Sequence, residues 1–96
     1  MLVPQAIYRQ DIDWVNESDV IVADVTRISM GVGFEIGWKL RDGGRVVGLC
    51  REDRFPKLSN MIKGITEPTF SLHTWQTSDD VTEILTKKLG KVTNHG

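Results

Sequence analysis

The chain has 96 residues, 40% hydrophobic and 26% charged, which excludes a disordered or fibrous polypeptide and fits one small globular domain. Twelve lysines and arginines against thirteen aspartates and glutamates leave a formal charge of −1 at pH 7. That balance excludes the basic field that grips a nucleic-acid backbone, so an anion would have to be recognised by local donors. Cys50 is the only cysteine, which rules out an intrachain disulfide and a cysteine-based zinc site. No apolar run reaches membrane length and the opening residues lack a leader's apolar core. The expectation is a reduced, intracellular protein, in cytoplasm or nucleus, with neither membrane nor nucleic-acid partner.

In chain order, Ile7, Tyr8, Ile12 and Val15 recur at helical spacing and predict an amphipathic helix over residues 5–15, closed by Asn16-Glu17-Ser18. Residues 20–23, Val-Ile-Val-Ala between Asp19 and Asp24, predict a parallel strand covered on both faces and wanting a strand on either side. Residues 26–30 form a loop, and a helix over 31–41 ends at Gly43-Gly44. A second strand covers 45–50. The charged stretch 51–57, broken by Pro56, reads as a solvated loop before a short helix around 59–62. A third strand spans 69–75. Ser78 then caps a helix with Asp79 and Asp80 in its first turn and Val81, Ile84, Leu85 and Leu89 along its apolar stripe. Lys87 and Lys88 suit its last turn, and Gly90 is placed to end it. Residues 91–96 make a polar, flexible tail after a single domain over 1–90. Helix and strand alternate throughout, which means an α/β fold: a parallel sheet with right-handed crossovers and helices on both faces.

Ligands of open parallel sheets sit at the carboxyl ends of the strands, which here means residues 24–35. Gly31 and Gly33 would let backbone approach a ligand closely. Glu35 falls in the first two turns of its helix, where the dipole favours an ionised carboxylate, the state a glycosidic nucleophile needs. The alternative is a solvated glutamate that only complements the dipole. Asp11 stands four residues from both Ile7 and Val15 and should point toward the sheet, whereas Asp13, about 200° round the helix, should face water. An acid on an apolar face is costly without a partner or a task. Its alternative is a structural acid capping a neighbouring loop. Cys50 has no histidine suited to activate it. His73, in a strand beside Trp75, reads as a hydrogen-bonded structural histidine, and His95 belongs to the tail.

Four segments together carry a resemblance: Tyr8-Arg9-Gln10-Asp11-Ile12-Asp13-Trp14, Ser18-Asp19-Val20-Ile21-Val22-Ala23-Asp24-Val25-Thr26, Ser29-Met30-Gly31-Val32-Gly33-Phe34-Glu35-Ile36-Gly37 and Leu58-Ser59-Asn60-Met61-Ile62-Lys63-Gly64. In order and with few gaps between about residues 7 and 75, they resemble the nucleoside 2-deoxyribosyltransferase superfamily, on the side of the 2′-deoxynucleoside 5′-phosphate N-hydrolases. The resemblance implies a flavodoxin-like or Rossmann-like sheet and a deoxynucleotide substrate, with no metal or organic cofactor. It implies that Glu35 attacks the sugar and that Asp11 is the acid/base and orienting carboxylate. Ser29 and Ser59 would bind the 5′-phosphate, Ser59 reaching into the partner's site across a homodimer. Met61 would border the base pocket, unless it is simply core, and Gly31 and Gly33 would shape the pocket wall. The family's opening strand and glycine-rich phosphate loop have no counterpart before Ile7, so the N-terminal βαβ portion is expected to be missing and activity to be weak. Ser29 favours a phosphate hydrolase over a base-exchanging transferase, whose usual acid there would repel a phosphate. A non-catalytic paralogue that binds nucleotide or only dimerises is the third reading.

Overall fold

The computed structural model describes residues 3–90; the tail 91–96, His95 included, lies outside them. The elements are α1 (Pro4–Glu17), β1 (Val20–Asp24), α2 (Met30–Arg41), β2 (Arg45–Arg51), a 3-10 helix (Glu52–Lys57), α3 (Asn60–Lys63), β3 (Phe70–Trp75) and α4 (Ser78–Leu89). The three strands pair in parallel in the order β1-β2-β3, aligning Val22 with Val47 and Val47 with Ser71.

The centre of the sheet is β2, and β1, expected to lack one of the two neighbours it wants, lies at an edge. Val46, Val47 and Cys50 are wholly buried, whereas Val22 on β1 is 42% exposed and β1 has a neighbour on one side only among the described residues. Gly48, in the middle of β2, has a structural reason: a Cβ there would lie 3.2 Å from both Leu72 and Phe70, which cross over it from β3. Ile36 of α2 packs with Ala23, Val25, Val46 and Cys50 as the core of one face. Burying side chains of this size contributes roughly 1.5–3 kcal/mol each. Strand alternation puts Val47 and His73 on the opposite face. There α4 covers β3, close enough for the Lys88 charge to act on His73. Helices therefore lie on both faces of a flavodoxin-like α/β sheet.

Capping sets the helix starts. Ser29 Oγ accepts from the Val32 amide, so α2 begins one residue earlier than predicted. At α4 the cap is Thr77, not Ser78. Its hydroxyl accepts from the Asp80 amide while the Asp80 carboxylate accepts from the Thr77 amide, a reciprocal pair that a lone serine cannot match. Helix α1 runs on through Asn16 and Glu17 to end at Ser18. Its buried stripe is narrower than its apolar periodicity suggests: Ile12 and Val15 are buried, while Ile7 and Tyr8 are 45% and 47% exposed. Gly43, at φ +78°, provides the left-handed turn from α2 into β2. The charged stretch predicted as loop winds into the 3-10 helix with Pro56 inside it.

Candidate functional site

Helices α1 and α2 lie side by side and make contact rung by rung. The Tyr8 ring meets Phe34 edge-on at 6.1 Å. One turn further, the Asp11 charge acts on Glu35. One turn further again, Lys39 Nζ donates to the Val15 carbonyl at 3.0 Å and to the Ser18 carbonyl, and Trp38 Nε1 donates to Asn16 Oδ1 at 3.0 Å. Sequence numbers rise together down the ladder, so the helices run in the same direction.

Glu35 is half-buried in this seam, and its carboxyl is pushed above the ordinary range, first by burial and second by Asp11. The expectation from the helix dipole was the opposite. Glu35 is the sixth residue of α2, beyond the first turn in which the dipole acts, so desolvation and a like charge prevail. Asp11 is half-buried and close enough to α2 for its charge to act on Glu35; Asp13 is exposed, as predicted.

On another side of α2 a cavity of about 360 Å³ opens between the start of α2 and α3. Ser29, Gly33, Ser59 and Met61 line it within a single chain, together with Arg27, Arg54 and Lys57. Glu35 and Asp11 are not among its walls. Gly33 and Glu35 are two residues apart, about 200° round the helix, so the cavity and the carboxylate pair occupy opposite flanks of α2. Gly31 lines neither; a Cβ there would sit an ordinary 3.9 Å from Ser29 Oγ, whereas one at Gly33 would meet nothing within 4 Å. Met61 is 83% exposed, which removes the reading of it as core.

Both serines are already employed. Ser29 Oγ accepts from Val32 and Ser59 Oγ from Met61, each at 3.2 Å, as the caps of α2 and α3. A hydroxyl that accepts still has its own hydrogen to donate, so capping leaves each serine able to bind a ligand oxygen. The sequence reading missed Arg27, Arg54 and Lys57 as cavity walls. Pro56 within the charged run was the available signal that those residues turn back on the fold.

His73 was expected to be hydrogen-bonded, yet its buried Nε2 has no partner among the described residues. Burial, and then Lys88, lower its pKa, so the ring is held neutral. No group of three potential metal ligands is present among the described residues, and no described helix is long and apolar enough to cross a membrane.

A family model described as nucleoside 2-deoxyribosyltransferase matches residues 3–92. The chain is 48% identical over 59 residues to the 5-hydroxymethyl-dUMP N-hydrolase of Branchiostoma floridae, an overlap covering 62% of this chain and 56% of that protein. To the enzyme of the same name in Danio rerio it is 39% identical over 82 residues, 84% of this chain and 57% of the relative. To the one in Homo sapiens it is 39% identical over 61 residues, 64% of this chain and 35% of the relative. The chain thus spans little more than half the length of the first two and about a third of the human protein.

Proposed function

The chain belongs to the nucleoside 2-deoxyribosyltransferase family, and from that premise we propose that it hydrolyses the base–sugar bond of 2′-deoxynucleoside 5′-monophosphates. The observation that carries the reading is that two half-buried carboxylates, Glu35 and Asp11, come from two packed helices close enough for the Asp11 charge to act on Glu35. Fold stability gives no reason to bring like charges together, whereas two-carboxylate glycosidic chemistry requires it. A Glu35 oxygen attacks C1′ as the C1′–N bond breaks, with Asp11 delivering a proton to the departing base. The resulting deoxyribosyl ester is then opened by water, which gives up its proton to Asp11 and releases 2-deoxyribose 5-phosphate. A carboxylate raised above its ordinary range is the more basic nucleophile, provided that it is ionised at working pH.

The 5′-phosphate falls to the hydroxyls of Ser29 and Ser59. Ser29 is exposed at the tip of α2. The reading extends to a homodimer in which a second copy brings Ser59 to the site. It is supported by Ile28, Met30 and Met61, which stand 93%, 91% and 83% exposed around the cavity. The relatives named for 5-hydroxymethyl-dUMP point to a pyrimidine deoxynucleotide as the first substrate to offer.

The test is base release from deoxynucleoside 5′-monophosphates and from the free nucleosides, with a free base added in one arm. Phosphorylated substrates should be cleaved without base exchange, and Glu35→Gln should fold, bind nucleotide and release no base. Near-normal turnover by a folded Glu35→Gln would end this reading; preference for free nucleosides with exchange would replace hydrolase by transferase.

A further inference from the structure

Lys39 is the one buried polar or charged residue among the described residues. Its ammonium meets no carboxylate among the described residues. It donates instead to the carbonyls of Val15 and Ser18 at the end of α1, where Val15 otherwise accepts only the Ser18 amide that closes the helix. Its stem fills the space over Gly44, where a Cβ would lie 2.5 Å from Lys39 Cε and 2.6 Å from Cδ. Burying an ammonium is costly, and an apolar side chain would fill the same gap without desolvating a charge. What the ammonium adds is direction: it ties α2 to one particular turn of α1.

Lys39 stands four residues after Glu35, and Val15 four after Asp11. Side chains four apart share a helix face, so the Lys39–Val15 bond repeats the Glu35–Asp11 meeting one turn, about 5.4 Å, further down. We propose that Lys39 is a positioning residue, whose hold on the end of α1 fixes the register of α1 against α2 and so keeps Asp11 beside Glu35. Trp38–Asn16 is a second, more exposed tie in the same rung. The catalytic consequence rests on the proposed function; the clamp itself does not.

The charged group that acts on Glu35 is Asp11 across the seam; Lys39, one turn along the same helix, carries the opposite charge. Their loss works in opposite directions. Removing the Lys39 charge alone would raise the Glu35 titration midpoint, whereas releasing Asp11 would lower it. The experiment is a carbon-13 NMR titration of the Glu35 carboxyl in the full chain, compared with Lys39→Met, Gly44→Ala, Asp11→Asn and Asp11→Asn/Lys39→Met. Gly44→Ala keeps the lysine and its charge but drives its flexible stem off the carbonyls. Both Lys39→Met and Gly44→Ala should lower the Glu35 midpoint toward that of Asp11→Asn, and Lys39→Met should lower it no further once Asp11 is gone. With base release measured alongside, kcat should fall by about ten- to 100-fold with KM kept, as for a misplaced reacting group. An unmoved or raised midpoint in both folded variants, or loss of fold in both, would overturn the proposal and leave Lys39 a stability residue. A midpoint that falls as expected in a protein that releases no base would instead keep the clamp and remove the enzyme.

Discussion

The two flanks of α2 handle polar groups in opposite ways. Toward α1, Glu35 and Asp11 share a half-buried seam in which burial, and then the Asp11 charge, make the Glu35 charge less comfortable. Toward α3, Ser29 and Ser59 line a cavity as helix caps, accepting from backbone amides of their own helices. The second arrangement serves the fold by itself; the first does not. A strained polar cluster with no structural benefit is the better mark of chemistry, and a satisfied one is the better mark of binding.

The sharpest way to break that contrast is to neutralise carboxylates one at a time. Asp11→Asn should slow base release by about 100- to 10,000-fold, the range over which a positioned acid–base group acts. Asp13→Asn, on the exposed side of the same helix, should change the rate by no more than about twofold, in keeping with a neutral surface substitution. Steady-state kinetics on both variants decides it. Equal losses would mean that the seam carries no special role and that α1 tolerates no change of charge.

The serine flank is sharpened by separating capping from binding. Ser29→Ala removes the cap of a twelve-residue helix and should cost about 1 kcal/mol, lowering the midpoint of thermal unfolding by about 4–8 °C. Ser59→Ala caps only the four residues of α3 and should cost less. In nucleotide binding the two should weaken alike, by about ten- to 100-fold for each lost hydrogen bond to phosphate. Calorimetric melting beside isothermal titration with a deoxynucleoside monophosphate tests both halves. A binding loss that tracks the thermal loss would show that the serines act only through the fold.

What was legible in the sequence follows the same division. Alternating periods placed all three strands and the four α-helices within a residue or two, because each depends on its own side chains, whereas the 3-10 helix Glu52–Lys57 was read as a loop. The capping box at α4 was half seen: Asp79 and Asp80 marked the first turn, but Ser78 stood one place from the true cap, Thr77, since the reciprocal bond needs Asp80 three residues on. The want of a second neighbour for Val20–Asp24 was legible in its apolar run, but the order of the strands was not, because Val20–Asp24 and Arg45–Arg51 are both apolar inside and only tertiary pairing decides which is central. Asp13 was placed correctly by helical angle alone. The closeness of Asp11 to Glu35 was not legible, because the seam between α1 and α2 joins residues more than twenty apart in sequence, as Lys39 with Val15 and Trp38 with Asn16. Glu35's titration was misjudged for the same reason: the dipole is local, whereas burial and Asp11 come from the fold.

The smallest effect expected is also the one that tests the contrast without any substrate. Glu35 holds its proton more tightly folded than unfolded, because burial and then Asp11 raise its pKa above the ordinary 4.5. A raised carboxyl favours the folded state while it is protonated, so its contribution is fully present below the ordinary value and is lost as pH rises through the raised one. At neutral pH the wild type therefore carries a penalty that Glu35→Gln lacks. The variant should melt higher than wild type at neutral pH, by less than the roughly 4 °C that 1 kcal/mol gives a domain of this size, and the gap should close as pH falls toward 4.5. Asp11→Asn should recover only the lesser of the two causes, since burial of Glu35 remains. The serine variants should show losses that stay level across the same range, because no ionisation is involved in a hydroxyl cap. Melting curves for these proteins at several pH values decide the matter. If Glu35→Gln is no more stable than wild type at neutral pH, the seam is not strained, and the strongest physical reason for placing chemistry there disappears.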